Sequence, residues 1–328
     1  MSQATTLKNL YEPIQGEIDR VEEALHKELL HQNPFVALLL KHSTKFHGKR
    51  VRPALLLHCA HILGEVREVH ISLGSVVEML HNATLVHDDV LDEALLRRQV
   101  RTLNAVWGNE ASILFGDYLF AKAYTLCARL HNRDANLILA GTVEEMCVGE
   151  LSQISTKFNF DMTEEQYLQV IRHKTASLFA TACRLGSVGN GADPSAVEAL
   201  AAYGNAFGTA FQIIDDCLDL SGSEQEMGKS LGSDLEKGKL TLPVLKLLRD
   251  LPSRDRKDLQ DLLAARGNEA EKRETVLRMI RERDLLAWSL RRAAEYIDEA
   301  KASLRQFRDS VHIESLQSLA DFALERRA

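Results

Sequence analysis

Asp88-Asp89-Val90-Leu91-Asp92 and Asp215-Asp216-Cys217-Leu218-Asp219 repeat one acidic pattern, D-D-x-x-D. On a helix, residues four apart share a face, so Asp88 with Asp92, and Asp215 with Asp219, each present two carboxylates in one direction. Either pattern alone would also fit a solvated helical face. Both, however, interrupt apolar runs, HNATLVHDDVLD and FGTAFQIIDDCLDL, where unpaired carboxylates are costly to desolvate. A donor set of carboxylate oxygens suits Mg²⁺, a hard cation that keeps waters and is completed by phosphate oxygens. The chemistry indicated is capture of a Mg²⁺-bound phosphate or diphosphate.

The elements that must carry these acids read as helices. The chain has only six prolines and none between residues 54 and 193, which permits long uninterrupted helices. Apolar spacing predicts helices over about 6–31, from Asn33-Pro34 onward, from Lys49 to Gly64, and over 71–96, 109–131, 133–156, 163–187 and 195–220. Shorter ones follow at 241–249, 254–265, 269–281, 284–307 and 313–326. Residues 221–240, rich in glycine and charge, read as a mobile loop. The expected fold is all-α: one large helical bundle around a central cavity, a single domain over residues 1–328. Asp88, Asp89 and Asp92 fall at the C-terminal end of the predicted 71–96 helix, where the macrodipole opposes negative charge, so cations must compensate them.

Composition narrows the function class. At 328 residues, 45% hydrophobic and 27% charged, the chain is of ordinary globular type, and a net charge of -7 argues against a broad nucleic-acid footprint. Five cysteines, widely spaced and with no C-x-x-C pair, read as reduced thiols. No secretory leader and no long apolar span is evident, so the expected compartment is the cytoplasm, with no stable membrane insertion.

Further motifs accompany the acids: GKRVRP at 48–53, HNATLVHDDVLDEALLRR at 81–98, GN then GDYLF within 108–120, GELSQ at 149–153, HKTASLF at 173–179, GTAFQIIDDCLD at 208–219 and GKSLGSDLEKGKLTLP at 228–243. In this order, over essentially the whole chain, they resemble the trans-isoprenyl diphosphate synthases of the polyprenyl synthetase family, and among these the long-chain, octaprenyl type. The resemblance implies an isoprenoid-synthase fold and head-to-tail condensation of isopentenyl diphosphate with an allylic diphosphate. It makes Asp88, Asp89, Asp92, Asp215, Asp216 and Asp219 the Mg²⁺ ligand candidates, with Asp89 in support. It places Arg97 on the allylic diphosphate, and Lys49, Arg52, His81 and Arg98 on isopentenyl diphosphate. Lys174, Thr175 and Gln212 fall at the reacting end of the allylic substrate, and Lys229 near its diphosphate. Lys239 fits a solvated loop position equally well. A homodimer is implied by resemblance alone.

The same resemblance frames product length. Bulk just before the first motif stops the growing chain in short-product enzymes, but Thr84 and Ala83 are small here. A helical turn of about 5.4 Å is comparable to one isoprene unit. Leu80, Val77 and Val76, with Met146, Val143 and Thr142 on a facing helix, are therefore candidates for a deeper floor, or else plain core. The expected product has about eight units, C40, for a quinone side chain. Two departures stand out: His47 precedes Gly48 where the family has a second glycine, and Gln99-Val100-Arg101 replaces the usual G-x-P after Arg97-Arg98. A shorter-chain geranylgeranyl synthase is one alternative. A class I terpene cyclase, which needs no second diphosphate pocket, is another; a non-catalytic subunit of a heteromeric synthase, which typically lacks one aspartate motif, is a third.

Overall fold

The structure is a computed structural model and describes residues 7–43, 48–221, 232–265 and 267–325. Lys229 and His47 lie outside the described residues. The helices in chain order are α1 (Leu7–Tyr11), α2 (Gln15–Glu28), α3 (Pro34–Ser43), α4 (Val51–Leu63), α5 (Glu68–Leu91), α6 (Leu103–Arg129), α7 (Arg133–Ser155), α8 (Glu164–Ile171), α9 (Ser177–Leu185) and α10 (Pro194–Ser221). They continue as α11 (Ser233–Glu236), α12 (Leu242–Asp250), α13 (Ser253–Ala264), α14 (Glu269–Glu282), α15 (Leu285–Ser303) and α16 (Val311–Glu325). The only strands among the described residues are β1 (Leu96–Arg97) and β2 (Val100–Arg101), an antiparallel pair. The fold is all-α, as expected.

α5 packs along α6 and against α2, α4 and α9, while α10 packs along α9 and α15. Their apolar faces meet in one cluster that runs from Leu10 to Ala323 and includes Leu55, Val76, Leu80, Phe179, Phe207 and Ile214. A second cluster joins Ala83 and Val86 of α5 to Leu39, Leu40, Leu103, Phe115 and Leu119. No helix among the described residues is long and apolar enough to cross a membrane.

Five features differ from the sequence expectation. Pro13, which has no amide to donate, sits in a 3-10 turn, Glu12–Ile14, that breaks the first helix. The first-motif helix ends at Leu91, not 96, with Asp92 as its cap, and the hairpin follows. α6 starts earlier, at Leu103, capped by Thr102, whose hydroxyl accepts from the Ala105 amide; it then kinks at Gly108, whose φ of 83° favours glycine. The expected 163–187 helix contains a π turn, Arg172–Ala176, which carries Lys174 and Thr175. Such turns insert one residue and re-aim side chains, often at functional sites. Within the expected 221–240 loop, Ser233–Glu236 forms the short helix α11.

Candidate active site

The two aspartate motifs end α5 and α10, and cationic side chains from elsewhere in the chain join them. Lys174 Nζ lies 3.6 Å from Asp88 Oδ1 and 2.9 Å from Gln153 Oε1, and it pairs closely with Glu150. Burial disfavours the Lys174 ammonium, yet Asp88, Glu150 and Asp92 outweigh burial and raise its pKa. Gly149 makes this approach possible: a Cβ there would lie 2.5 Å from the Lys174 amide nitrogen. On the other side, Lys239 Nζ sits 2.7 Å from Asp92 Oδ1 and 3.6 Å from Asp234 Oδ1, with Lys237 3.8 Å from Asp92. Burial alone would raise the Asp92 carboxyl, but Lys239, Lys237 and Lys174 hold it below its ordinary range. Asp234 closes the circuit, because its amide donates to Asp219 Oδ2 at 3.4 Å. The cations demanded by acids at a helix C-terminus are thus present, and Lys239, left open by sequence, is one of them.

The remaining acids are engaged by protein donors. Arg97 holds Asp89 through Nε at 2.9 Å and Nη2 at 2.8 Å. Burial pushes the Asp89 carboxyl up, and Arg97 offsets only part of that. Asp216 accepts from the Tyr167 hydroxyl and from Gln212 Nε2, each at 2.7 Å, and Gln212 Oε1 accepts from Thr175 Oγ1 at 2.8 Å. Burial and the nearby Asp234 charge push Asp216 up to about 7, despite those two hydrogen bonds. Thr175 and Gln212, paired at sequence level by role, are paired here by contact.

Beside the acids lies a cluster of basic side chains. Arg52 stacks its guanidinium 4.1 Å from the Phe179 ring centroid and lies within electrostatic reach of Glu78 and Asp215. Burial lowers it to about 10, and Glu78 and Asp215 oppose that fall. His81 is driven well below its ordinary range by burial and by the charges of Arg52, Arg97, Arg98 and Arg50. It is a neutral imidazole among guanidiniums. Lys49 is exposed, and its carbonyl accepts from the Tyr11 hydroxyl at 2.8 Å. Arg98 is exposed at the hairpin tip, where Arg98 and Gln99 both have positive φ, 51° and 65°.

Sequence reasoning missed Glu78, a buried acid on α5 that pairs with Arg50 Nη1 at 2.5 Å, while Glu22 takes Arg50 Nε at 2.6 Å. A lone acid in the apolar run LGSVVEMLH was the available signal. Gly48 lets the GKRVRP loop close on it, since a Cβ there would lie 3.0 Å from Glu78 Oε1. Tyr167, Glu150, Gln153 and Asp234 also escaped notice.

The product-length candidates divide. Leu80, Val76, Val77 and Met146 are buried in the main cluster, with Val143 packed against it, whereas Ala83 belongs to the second. Thr84 turns its hydroxyl back to the His81 carbonyl at 2.8 Å, and Thr142 Oγ1 meets Thr181 Oγ1 at 2.6 Å.

The donor chemistry fits Mg²⁺. Asp88, Asp92 and Asp215 offer hard oxygens at the helix ends, and no three His, Cys, Asp or Glu residues among those described already converge into a closed metal cage. An ion held here must draw further ligands from water and substrate, which is the habit of Mg²⁺ at phosphate sites.

Residues 33–280 match the family described as polyprenyl synthetase. The chain is 35% identical over 279 residues to the octaprenyl diphosphate synthase of Escherichia coli K12, covering 85% of this chain and 86% of that one. It is 37% identical over 290 residues to the geranylgeranyl diphosphate synthase of Saccharolobus solfataricus, covering 85% and 87%. Among solved structures, a polyprenyl synthase from Caulobacter crescentus CB15, complexed with calcium and isoprenyl diphosphate, superposes with a TM-score of 0.94 at 32% identity over 100% of both chains.

Proposed function

The chain belongs to the polyprenyl synthetase family and is a prenyltransferase; we propose that it is a Mg²⁺-dependent long-chain trans-polyprenyl diphosphate synthase, acting as a single helical domain in the cytoplasm on isopentenyl diphosphate and an allylic diphosphate. The observation that carries this reading is the pairing of two bridged aspartate motifs with a separate basic pocket. One site takes a metal-bound diphosphate, and the other takes a second diphosphate. A terpene cyclase has no use for the second pocket.

Asp88, Asp92 and Asp215 would hold Mg²⁺, with Asp219 behind them, and Asp89 and Asp216 support the arrangement through their protein partners. Bound Mg²⁺ supplies Lewis-acid stabilisation of the departing diphosphate. Arg97, Lys174, Lys239 and Lys229 add cationic donors for the same charge as carbon–oxygen cleavage leaves an allylic cation. Thr175 and Gln212 line the position of that cation. Lys49, Arg52 and Arg98 hold isopentenyl diphosphate by charge-assisted hydrogen bonds, and neutral His81 can donate or accept without adding charge. The isopentenyl double bond attacks the cation, and a proton is then lost to the departing diphosphate. The packed helices exclude the water that would quench the cation.

Identity alone does not rank product length, because relatives named for geranylgeranyl and octaprenyl products are about equally similar. Small Ala83 and Thr84 favour a long product, about eight units, consistent with a quinone side chain. A homodimer is supported by apolar residues exposed on α6 and α7, among them Ile113, Leu114, Leu137, Val148, Leu151 and Ile154. The purified chain, given farnesyl diphosphate, isopentenyl diphosphate and Mg²⁺, should yield products near C40. Termination at 15 or 20 carbons refutes the long-chain reading, and absence of any condensation refutes independent activity.

A further inference from the structure

We propose that Tyr11 is a positioning residue for the second diphosphate: its hydroxyl fixes the peptide between Lys49 and Arg50 and so sets where Lys49 stands relative to Arg52. The inference rests on the proposed condensation, because it takes Lys49 and Arg52 as holders of isopentenyl diphosphate.

The segment that carries Lys49 has no secondary structure of its own: residues 48–50 are irregular, and α4 begins only at Val51. The Lys49 carbonyl therefore lies outside the helical ladder, and it accepts from the Tyr11 hydroxyl at 2.8 Å, from 38 positions away. A carbonyl accepts only, so the phenol must be the donor. Burial and the Glu78 charge raise the Tyr11 pKa, which keeps that proton in place. The donor is itself anchored. Tyr11 closes α1 and leads into the 3-10 turn Glu12–Ile14, and its ring is buried in the main cluster. α1 packs on α16, and the turn packs on α4.

Arg50 turns this one contact into control of a side chain. It precedes α4 with φ 53° and ψ 30°, a left-handed conformation unfavourable to a residue with a Cβ. Its carbonyl accepts from the Ala54 amide at 3.0 Å, which ties its C-terminal side to α4, and Glu22 and Glu78 hold its guanidinium. The soft freedom that remains is rotation about the Arg50 N–Cα bond. Such a rotation leaves α4 and Arg52 in place but swings the Lys49 carbonyl and Cα through an arc. The Tyr11 hydrogen bond blocks it. Arg52 needs no such help, because it is set within α4 and stacks 4.1 Å from the Phe179 ring centroid. Without the hydroxyl, the left-handed φ can relax and Lys49 leaves its register with Arg52. Two cations gripping one diphosphate then become one. Tyr11 touches no substrate atom in this scheme, and its effect passes through the backbone of Lys49.

The test is Tyr11→Phe, which removes one oxygen and keeps the ring in the core, with steady-state kinetics on farnesyl diphosphate and isopentenyl diphosphate in Mg²⁺. Loss of one hydrogen bond predicts an about fivefold rise in the KM for isopentenyl diphosphate, with kcat and the KM for farnesyl diphosphate within about twofold of wild type. A side chain that only supports packing lowers Tm and raises both KM values together, or changes no kinetic constant, and either result overturns the proposal. The discriminating measurement is a pair of cycles. Tyr11→Phe should add nothing to the isopentenyl diphosphate KM of Lys49→Ala, yet add its full effect to that of Arg52→Lys, since residues acting through one another are non-additive. An equal change in the two backgrounds overturns the proposal, as does a Lys49→Ala chain with the wild-type KM. A wild-type chain that condenses nothing overturns the functional reading and this inference with it; an active wild type with any of the contrary results above overturns only the role of Tyr11.

Discussion

Glu78 offers the most direct test of how the basic pocket is built. Its side chain is 3% exposed and holds Arg50, itself 14% exposed, at 2.5 Å, and its charge also supports Arg52. In Glu78→Gln the shape and one hydrogen-bonding oxygen remain, but the guanidiniums lose a buried negative partner, leaving Arg50 with the half-exposed Glu22 and Arg52 with Asp215. Breaking such a pair costs about 3 kcal/mol or more. For a chain of 328 residues this lowers Tm by about 4 °C, given an unfolding entropy of about 2.1 cal/mol/K per residue. The pocket becomes one charge more positive, so a bound diphosphate should recover part of the loss. A unit charge about 8 Å away in an effective dielectric of about 20 contributes about 2 kcal/mol. Thermal melts with and without pyrophosphate, in the absence of metal, measure both quantities. Pyrophosphate should raise the Tm of Glu78→Gln more than that of wild type. An equal or smaller rise would show that Glu78 does not balance the charge of a diphosphate pocket.

Three more perturbations follow from the geometry. Asp216 is raised to about 7 in the folded state. Stability from this group is therefore full below an unfolded pKa of about 4 and is lost as pH rises through about 7. Metal-free protein should lose Tm over that window, and Asp216→Asn should flatten the loss; an unchanged slope contradicts the assignment. Gln99 holds φ at 65° in a two-residue turn, a conformation that costs a side chain about 1 kcal/mol. Gln99→Gly should raise Tm by about 1 °C and leave substrate KM values unchanged, and a fall in Tm would show the turn is not strained. Gly149→Ala would place a Cβ 2.5 Å from the Lys174 amide and force α7 off the π turn. Steady-state assays should show kcat reduced about 100-fold, because misplacing catalytic groups by about 1 Å costs that much, whereas wild-type kinetics would mean the turn yields without moving Lys174.

Most of the helical architecture was legible because α5 and α10 carry near-continuous apolar faces over long, proline-free stretches. The hairpin at Leu96–Arg101 was not, since two-residue strands have too few positions to show alternation, and its turn uses Arg98 and Gln99 where glycine would have announced it. The π turn was equally silent: Arg172–Ala176 lies within a helical pattern, and the extra residue shows only in where Lys174 and Thr175 point. Within the site, the aspartates could be read because their repetition is local. Tyr167, Glu78 and Asp234 act on residues 49, 28 and 15 positions away. Such long-range partners are set by packing, and no spacing rule exposes them.

The acidity of the chain and its fitness to bind diphosphates are reconciled by where the cations sit. Lys174 bridges Asp88 to Glu150 and Gln153, and Lys239 bridges Asp92 to Asp234. These lysines neutralise half-buried carboxylates that would otherwise repel one another. They hold those acids by single ammonium contacts, which a divalent ion can outbid at an oxygen site. Displaced from Asp88 and Asp92, each ammonium would stay at the site as a cationic donor for the diphosphate that accompanies the ion. Arg97 differs, because two of its guanidinium nitrogens donate to one oxygen of the buried Asp89 carboxylate, a charge-assisted contact harder to displace than a single ammonium. The lysines are therefore the movable charges of the site and Arg97 the fixed one. Arginine at 174 or 239 would carry the same charge but could hold its carboxylate through two guanidinium donors, as Arg97 does, so Lys174→Arg and Lys239→Arg should raise the Mg²⁺ concentration needed for half-maximal rate.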